Sequence, residues 1–195
     1  MKKITFAAIL LSPCALFLPG TQAEDKNQAD LYLYHALQSA AKDGKKSDAK
    51  SGSTFGKNKN GFEEKNGSLR PGSGGKLSTY RKNAHGFEEK TGSLRPSSRG
   101  RVDVYEKNKH GFEEKTGSIR NVNDKRQDVY RKNKHGFEEK TGSIRRISDK
   151  RQDIYEKNKY GFEEKVGSLR KNSRGGYDLY RKNKYGFEEK VGSIK

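Results

Sequence analysis

One string recurs through most of this chain at a fixed step of 25 residues. Its form is Tyr-(Glu/Arg)-Lys-Asn-x-x-Gly-Phe-Glu-Glu-Lys-x-Gly-Ser-(Ile/Leu)-(Arg/Lys), as in Tyr105 to Arg120. Tyrosines fall at Tyr80, Tyr105, Tyr130, Tyr155 and Tyr180, with Phe55 in a degenerate first copy. Phenylalanines keep the same step at Phe62, Phe87, Phe112, Phe137, Phe162 and Phe187. A constant step without insertions means six copies of one structural unit, and such units bury their apolar faces chiefly against one another.

Composition sharpens that constraint. Apolar residues make up only 29% of the chain and charged residues 35%, with no Trp, so any core is thin. A single copy offers few apolar anchors (Val104, Tyr105, Phe112, Ile119), too few to offset the entropy of ordering its own length of chain. Copies must therefore lend one another an interior. The expected fold is all-β: six 25-residue β-hairpin repeats in a closed ring or a short stack, over residues 55–195. Closure is attractive because an open row of hairpins leaves two unpaired sheet edges. A composition this polar also borders on that of disordered chains, and a largely disordered mature chain is the alternative.

Inside one copy, Val104-Tyr105 and Phe112 are β-prone, and Asn108-Lys109-His110-Gly111 between them is turn chemistry. Phe112 and Ile119 are an odd number of residues apart, which on a regular strand puts them on opposite faces. A bulge or kink at Gly117 is expected to bring Ile119 back to the Phe112 face. The variable stretch from Asn121 to Gln127 reads as the connecting loop. The residue after each tyrosine alternates in sign (Arg81, Glu106, Arg131, Glu156, Arg181), so equivalent positions of neighbouring copies packed in register would meet with opposite charge. Duplication of a two-copy unit would leave the same alternation without any pairing.

Ahead of the repeats lie three segments of different character. Residues 1–23 have the cationic start, apolar run and small-residue end (Ala23) of a bacterial-type secretory signal, which predicts export. Cys14 could suggest a lipoprotein signal, but Pro13 before it and the apolar run after it speak against that. It is the only cysteine, so cleavage leaves no disulfide or thiolate metal site. Residues 24–43 read as a short amphipathic helix, with Leu33, Leu37 and Ala40 or Ala41 on one face, Asn27 as N-cap and Gly44 as stop. That helix is too short to stand alone and is a candidate docking element for a protein partner. Residues 44–54 read as a flexible basic linker.

The same core string, Tyr-x-Lys-Asn, a glycine turn and Gly-Ser-(Ile/Leu)-Arg, is similar to the short hairpin repeats of bacterial β-flower proteins. The likeness covers Phe55 to Lys195 and departs in the extra turn residues (Lys-His-Gly or Lys-Tyr-Gly) and in the long step. It implies a compact ring of hairpins and no particular activity.

The formal charge of +18, of which the leader carries only Lys2 and Lys3, favours polyanionic partners: lipopolysaccharide, nucleic acid, an acidic glycan or an anionic membrane surface. No catalytic fingerprint accompanies it, so neither an enzyme nor a cofactor is expected. The glutamate pairs Glu63-Glu64, Glu88-Glu89, Glu113-Glu114, Glu138-Glu139, Glu163-Glu164 and Glu188-Glu189 point to opposite faces within each pair. They fit salt bridges to Lys65, Lys90, Lys115, Lys140, Lys165 and Lys190 better than hydrolysis. The position before the turn glycine is Asn60, His85, His110, His135, Tyr160 and Tyr185; the change to tyrosine argues for exposed turn-tip aromatics over a zinc site. The candidate ligand surface joins those tips with neighbouring cations: His85, His110, His135, Tyr160 and Tyr185, with Lys107, Lys109, Lys132, Lys134, Lys157, Lys159, Lys182 and Lys184. Aromatic faces beside cations can stack on bases or sugars while the charges hold phosphates or sulfates. A structural or protein-interaction module, with charge serving solubility alone, is the other reading.

Overall fold

A computed structural model describes residues 51–195. The leader, the amphipathic helix and most of the linker lie outside the described residues. The remainder is twelve antiparallel strands: β1 (Gly52–Lys57), β2 (Glu63–Pro71), β3 (Leu77–Lys82), β4 (Glu88–Pro96), β5 (Arg101–Lys107), β6 (Glu113–Asn123), β7 (Arg126–Lys132), β8 (Glu138–Ser148), β9 (Arg151–Lys157), β10 (Glu163–Lys171), β11 (Tyr177–Lys182) and β12 (Glu188–Ile194). Each strand pairs with its neighbours in sequence, and β1 pairs with β12, so the sheet closes into an up-and-down barrel with no free edge. Residues 52–54, assigned to the linker by sequence, belong to β1, and Thr54 is buried.

The seam is a regular ladder. Thr54 faces Ile194, Phe55 faces Ser193 and Gly56 faces Gly192, and Ser53 and Lys195 exchange both backbone hydrogen bonds at 3.0 and 3.1 Å. Side chains that face the axis form the core: Leu77 opposite Leu94, Val102 opposite Ile119, Ile119 opposite Val129, Ile144 opposite Ile154 and Leu169 opposite Leu179. Every copy supplies part of this belt and is covered by the next. That shared interior is what the repeat arithmetic demanded.

The bulge occurs at the expected glycine. Val104 faces Gly117 and Tyr105 faces Lys115, leaving Thr116 as the extra residue, and the same slip recurs at the matching point of the other hairpins. Its consequence differs from the expectation. The extra residue puts Phe112 in phase with Ile119, but the ladder starts at Glu113, so the phenylalanine lies beyond the barrel's end and is 71% exposed. Tyr105 also leaves the core: it stands on the outer wall with the Arg95 guanidinium 3.9 Å from its ring centre. Of the four anchors named for this copy, Ile119 is buried and Val104 packs against the core from a half-buried position. What the bulge changes is the outer face, where Glu113, Lys115, Ser118 and Arg120 now share one side of β6.

The connections are shorter than the variable stretches suggested. β6 runs to Asn123 and β7 starts at Arg126, so only Asp124 and Lys125 remain between strands in what was read as a loop from Asn121 to Gln127. Where Pro71 and Pro96 end the ladder, short 3-10 turns at Ser73–Gly75 and Ser98–Gly100 take over, since proline has no N–H to continue pairing.

Candidate functional site: an aromatic and basic rim

The hairpin turns all stand at one end of the barrel, and the connections and both ends of the described chain at the other. In each turn the asparagine does the shaping. The Asn108 backbone N–H donates to the Phe112 carbonyl at 2.9 Å, and Gly111 N–H donates back to the Asn108 carbonyl. The Asn108 Oδ1 accepts from the N–H groups of His110 at 2.9 Å and Phe112 at 3.1 Å, and its Nδ2 donates to Glu114. Gly111 has φ +84, which closes the three-residue loop, and a side chain there would be strained. The same backbone and Oδ1 bonds recur around Asn58, Asn83, Asn133, Asn158 and Asn183, so all the tips share one fixed shape.

On these tips the residues singled out by sequence are brought together. His85, His110 and His135 are exposed at three successive tips, and Tyr160 and Tyr185 at the next two, both more than 70% exposed. Lys109, Lys134, Lys159 and Lys184 are exposed beside them, and Lys107, Lys132, Lys157 and Lys182 at the strand ends below. Lys159 Nζ lies 4.9 Å from the centre of the Tyr160 ring, and Lys184 Nζ the same distance from that of Tyr185, so cation and aromatic face already touch. Sequence reasoning missed the largest aromatic component. Phe62, Phe87, Phe112, Phe137, Phe162 and Phe187 are each 70–71% exposed at the same rim.

The outer wall is a separate electrostatic system. Each copy's lysine reaches the first glutamate of the next: Lys65–Glu88 at 3.0 Å, Lys90–Glu113 at 2.8 Å, Lys115–Glu138 at 2.9 Å, Lys140–Glu163 at 2.9 Å and Lys165–Glu188 at 3.0 Å. The girdle closes across the seam with Lys190–Glu63 at 2.6 Å. Arg70, Arg95, Arg120, Arg145 and Arg170 pair with the same carboxylates while stacking 3.9–4.1 Å over Tyr80, Tyr105, Tyr130, Tyr155 and Tyr180. At the seam Lys195 takes that role, 3.2 Å from Glu63 and 4.3 Å over Phe55. The hydrogen bonds from Lys65, Ser68 and Arg70 hold the Glu88 carboxyl down to about 2. Burial pushes Glu113 upward, but Lys90, Ser93 and Arg95 outweigh it and bring that group to about 2 as well. Glu138 and Glu163 are lowered in the same way against the same burial.

Inside the barrel, next to the tips, the residues of alternating sign face the axis. Arg181 donates to Glu156 at 3.1 Å, so neighbouring copies do meet with opposite charge there. Gly56 occupies the first copy's position in that ring, and a side chain at that point would meet the Asn66 amide at 2.7 Å.

The wall is charged all round, unlike a lipid-facing barrel surface, where a Lys or Arg at the bilayer midplane costs about 2–4 kcal/mol. Among the described residues no helix is long and apolar enough to cross a membrane. No family model and no curated protein matches the chain. Among solved structures it is similar to a Bacteroides fragilis protein of unknown function, at 15% identity over 57% of this chain and 86% of that one. The TM-score of 0.29 is too low for the likeness to carry any argument.

Proposed function

We propose that this is an exported, non-enzymatic repeat protein that binds a polyanionic or carbohydrate surface through its turn-tip rim. The observation that carries the reading is the six-fold presentation of exposed aromatics beside lysines on rigid turns at one end of a closed barrel. Each tip alone would bind weakly, and several on one frame add their contacts. Export rests on the leader-like residues 1–23, and a kinship with β-flower proteins on the hairpin string; neither adds a ligand.

The girdle favours part of the structural reading. Wall cations such as Lys90 and Arg95 already serve Glu113, so much of the positive charge holds neighbouring copies together. The tip lysines are the ones placed for a ligand. Retention on immobilised heparin tests this directly: elution should require substantial salt, and changing Lys109, Lys134, Lys159 and Lys184 to Gln should shift elution to much lower salt. Equal elution of variant and parent would remove the reading.

A further inference from the structure

Six phenylalanines stand about 70% exposed, and the barrel has no structural use for them. They do not fill the core, which a belt of Leu, Ile and Val with Tyr177 makes up without them. Nor is their backbone loose, because each one's N–H is held by the turn asparagine, as Phe112 N–H is by Asn108 Oδ1. An apolar ring fixed rigidly toward water is the mark of an interaction surface. Its geometry narrows the partner. All the hairpins end on the same pairing, Lys107 with Glu113 and Lys132 with Glu138 for example, so the tips are equivalent and their phenylalanines ring one mouth of the barrel. The opposite end lacks that regularity, with connections that differ in length and form.

We propose that this rim seats on an anionic lipid bilayer, with the phenylalanines entering the interfacial layer and the tip lysines meeting lipid phosphates. The proposal rests on the polyanion reading and names its target. A single nucleic-acid or glycan strand tracks a groove, whereas a ring of equivalent tips contacts all its points at once only against a flat surface. Phenylalanine suits the boundary between headgroups and acyl chains, and each nearby lysine adds attraction to anionic lipid. The charged wall stays in water, so the barrel rests on the membrane without entering it.

The test uses the full chain with vesicles of phosphatidylcholine and phosphatidylglycerol, and of phosphatidylcholine alone. The chain has no Trp, so Phe137→Trp installs a single reporter on the rim. Its emission should shift to shorter wavelength with anionic vesicles and stay unchanged with neutral ones. Phe112→Ser, Phe137→Ser and Phe162→Ser combined should leave the melting temperature intact and lower vesicle partitioning by roughly a hundredfold. Its residual binding should vanish in salt that the parent tolerates. An unshifted emission, or equal partitioning of parent and triple variant, overturns the proposal. If the parent binds heparin but not anionic vesicles, the membrane target fails while the polyanion reading stands; if it binds neither, both fail.

Discussion

Gly117 shows how closely the residue scale is specified. A Cβ built there would lie 2.2 Å from the Tyr130 carbonyl oxygen, and the matching glycines at positions 67, 92, 142 and 167 meet the next copy's tyrosine carbonyl in the same way. Gly117→Ala should therefore cost about 2 kcal/mol or more in urea unfolding, because the contact is backbone and has no rotamer to yield. Gly111→Ala faces open space and is opposed only by its positive φ, so it should cost less, about 1 kcal/mol. A second pair of substitutions separates core from rim. Ile119→Ala removes a buried side chain and should cost about 2–5 kcal/mol, whereas Phe112→Ala should stay within about 0.5 kcal/mol of the parent. The bulge glycine and the turn glycine were both legible in the sequence, because each residue type has few other uses there. The position of Phe112 was not: the bulge puts it in phase with Ile119, and only the point where the ladder stops puts it outside.

At the scale of the strand, the girdle ties each copy to the next through residues far apart in sequence. Arg120 and Lys115 on β6 both reach Glu138 on β8, across β7. Its glutamates and lysines could be read as salt-bridge partners, but the pairing of copy to copy needed the bulge, which turns Glu113, Lys115, Ser118 and Arg120 to one wall. Because the folded carboxyls lie below their ordinary value of 4.5, the girdle's stabilisation is fully present above that pH. It is lost as pH falls through the folded values, which for Glu88 and Glu113 are about 2. Melting temperature should hold steady down to about pH 5 and then drop steeply toward pH 2. Glu113→Gln should lower the melting temperature at neutral pH and flatten that drop; an acid profile unchanged by the substitution would show that the pair adds nothing. The connections mislead the eye for a related reason. Polar, variable residues such as Asn121 and Asn123 look like loop, yet at the barrel's open end both faces of a strand meet water and accept them in the ladder.

For the whole molecule, the repeat step and the thin core left a closed ring or a short stack, the cost of free edges favoured the ring, and the β1–β12 ladder supplies it. Lys195 copies the stacking arginine of the other hairpins, so the joint between first and last copies is built like every other joint. Closure is also what sets the tips at equivalent positions on one rim, and so the binding surface depends on it. Residue-resolved hydrogen exchange tests that closure most directly. A closed barrel should protect the amides of Ser53 and Lys195, and those along β1 and β12, to nearly the level of β6 and β7. Seam amides that exchange at the rate of an unfolded peptide, while the middle strands stay protected, would mean an open stack.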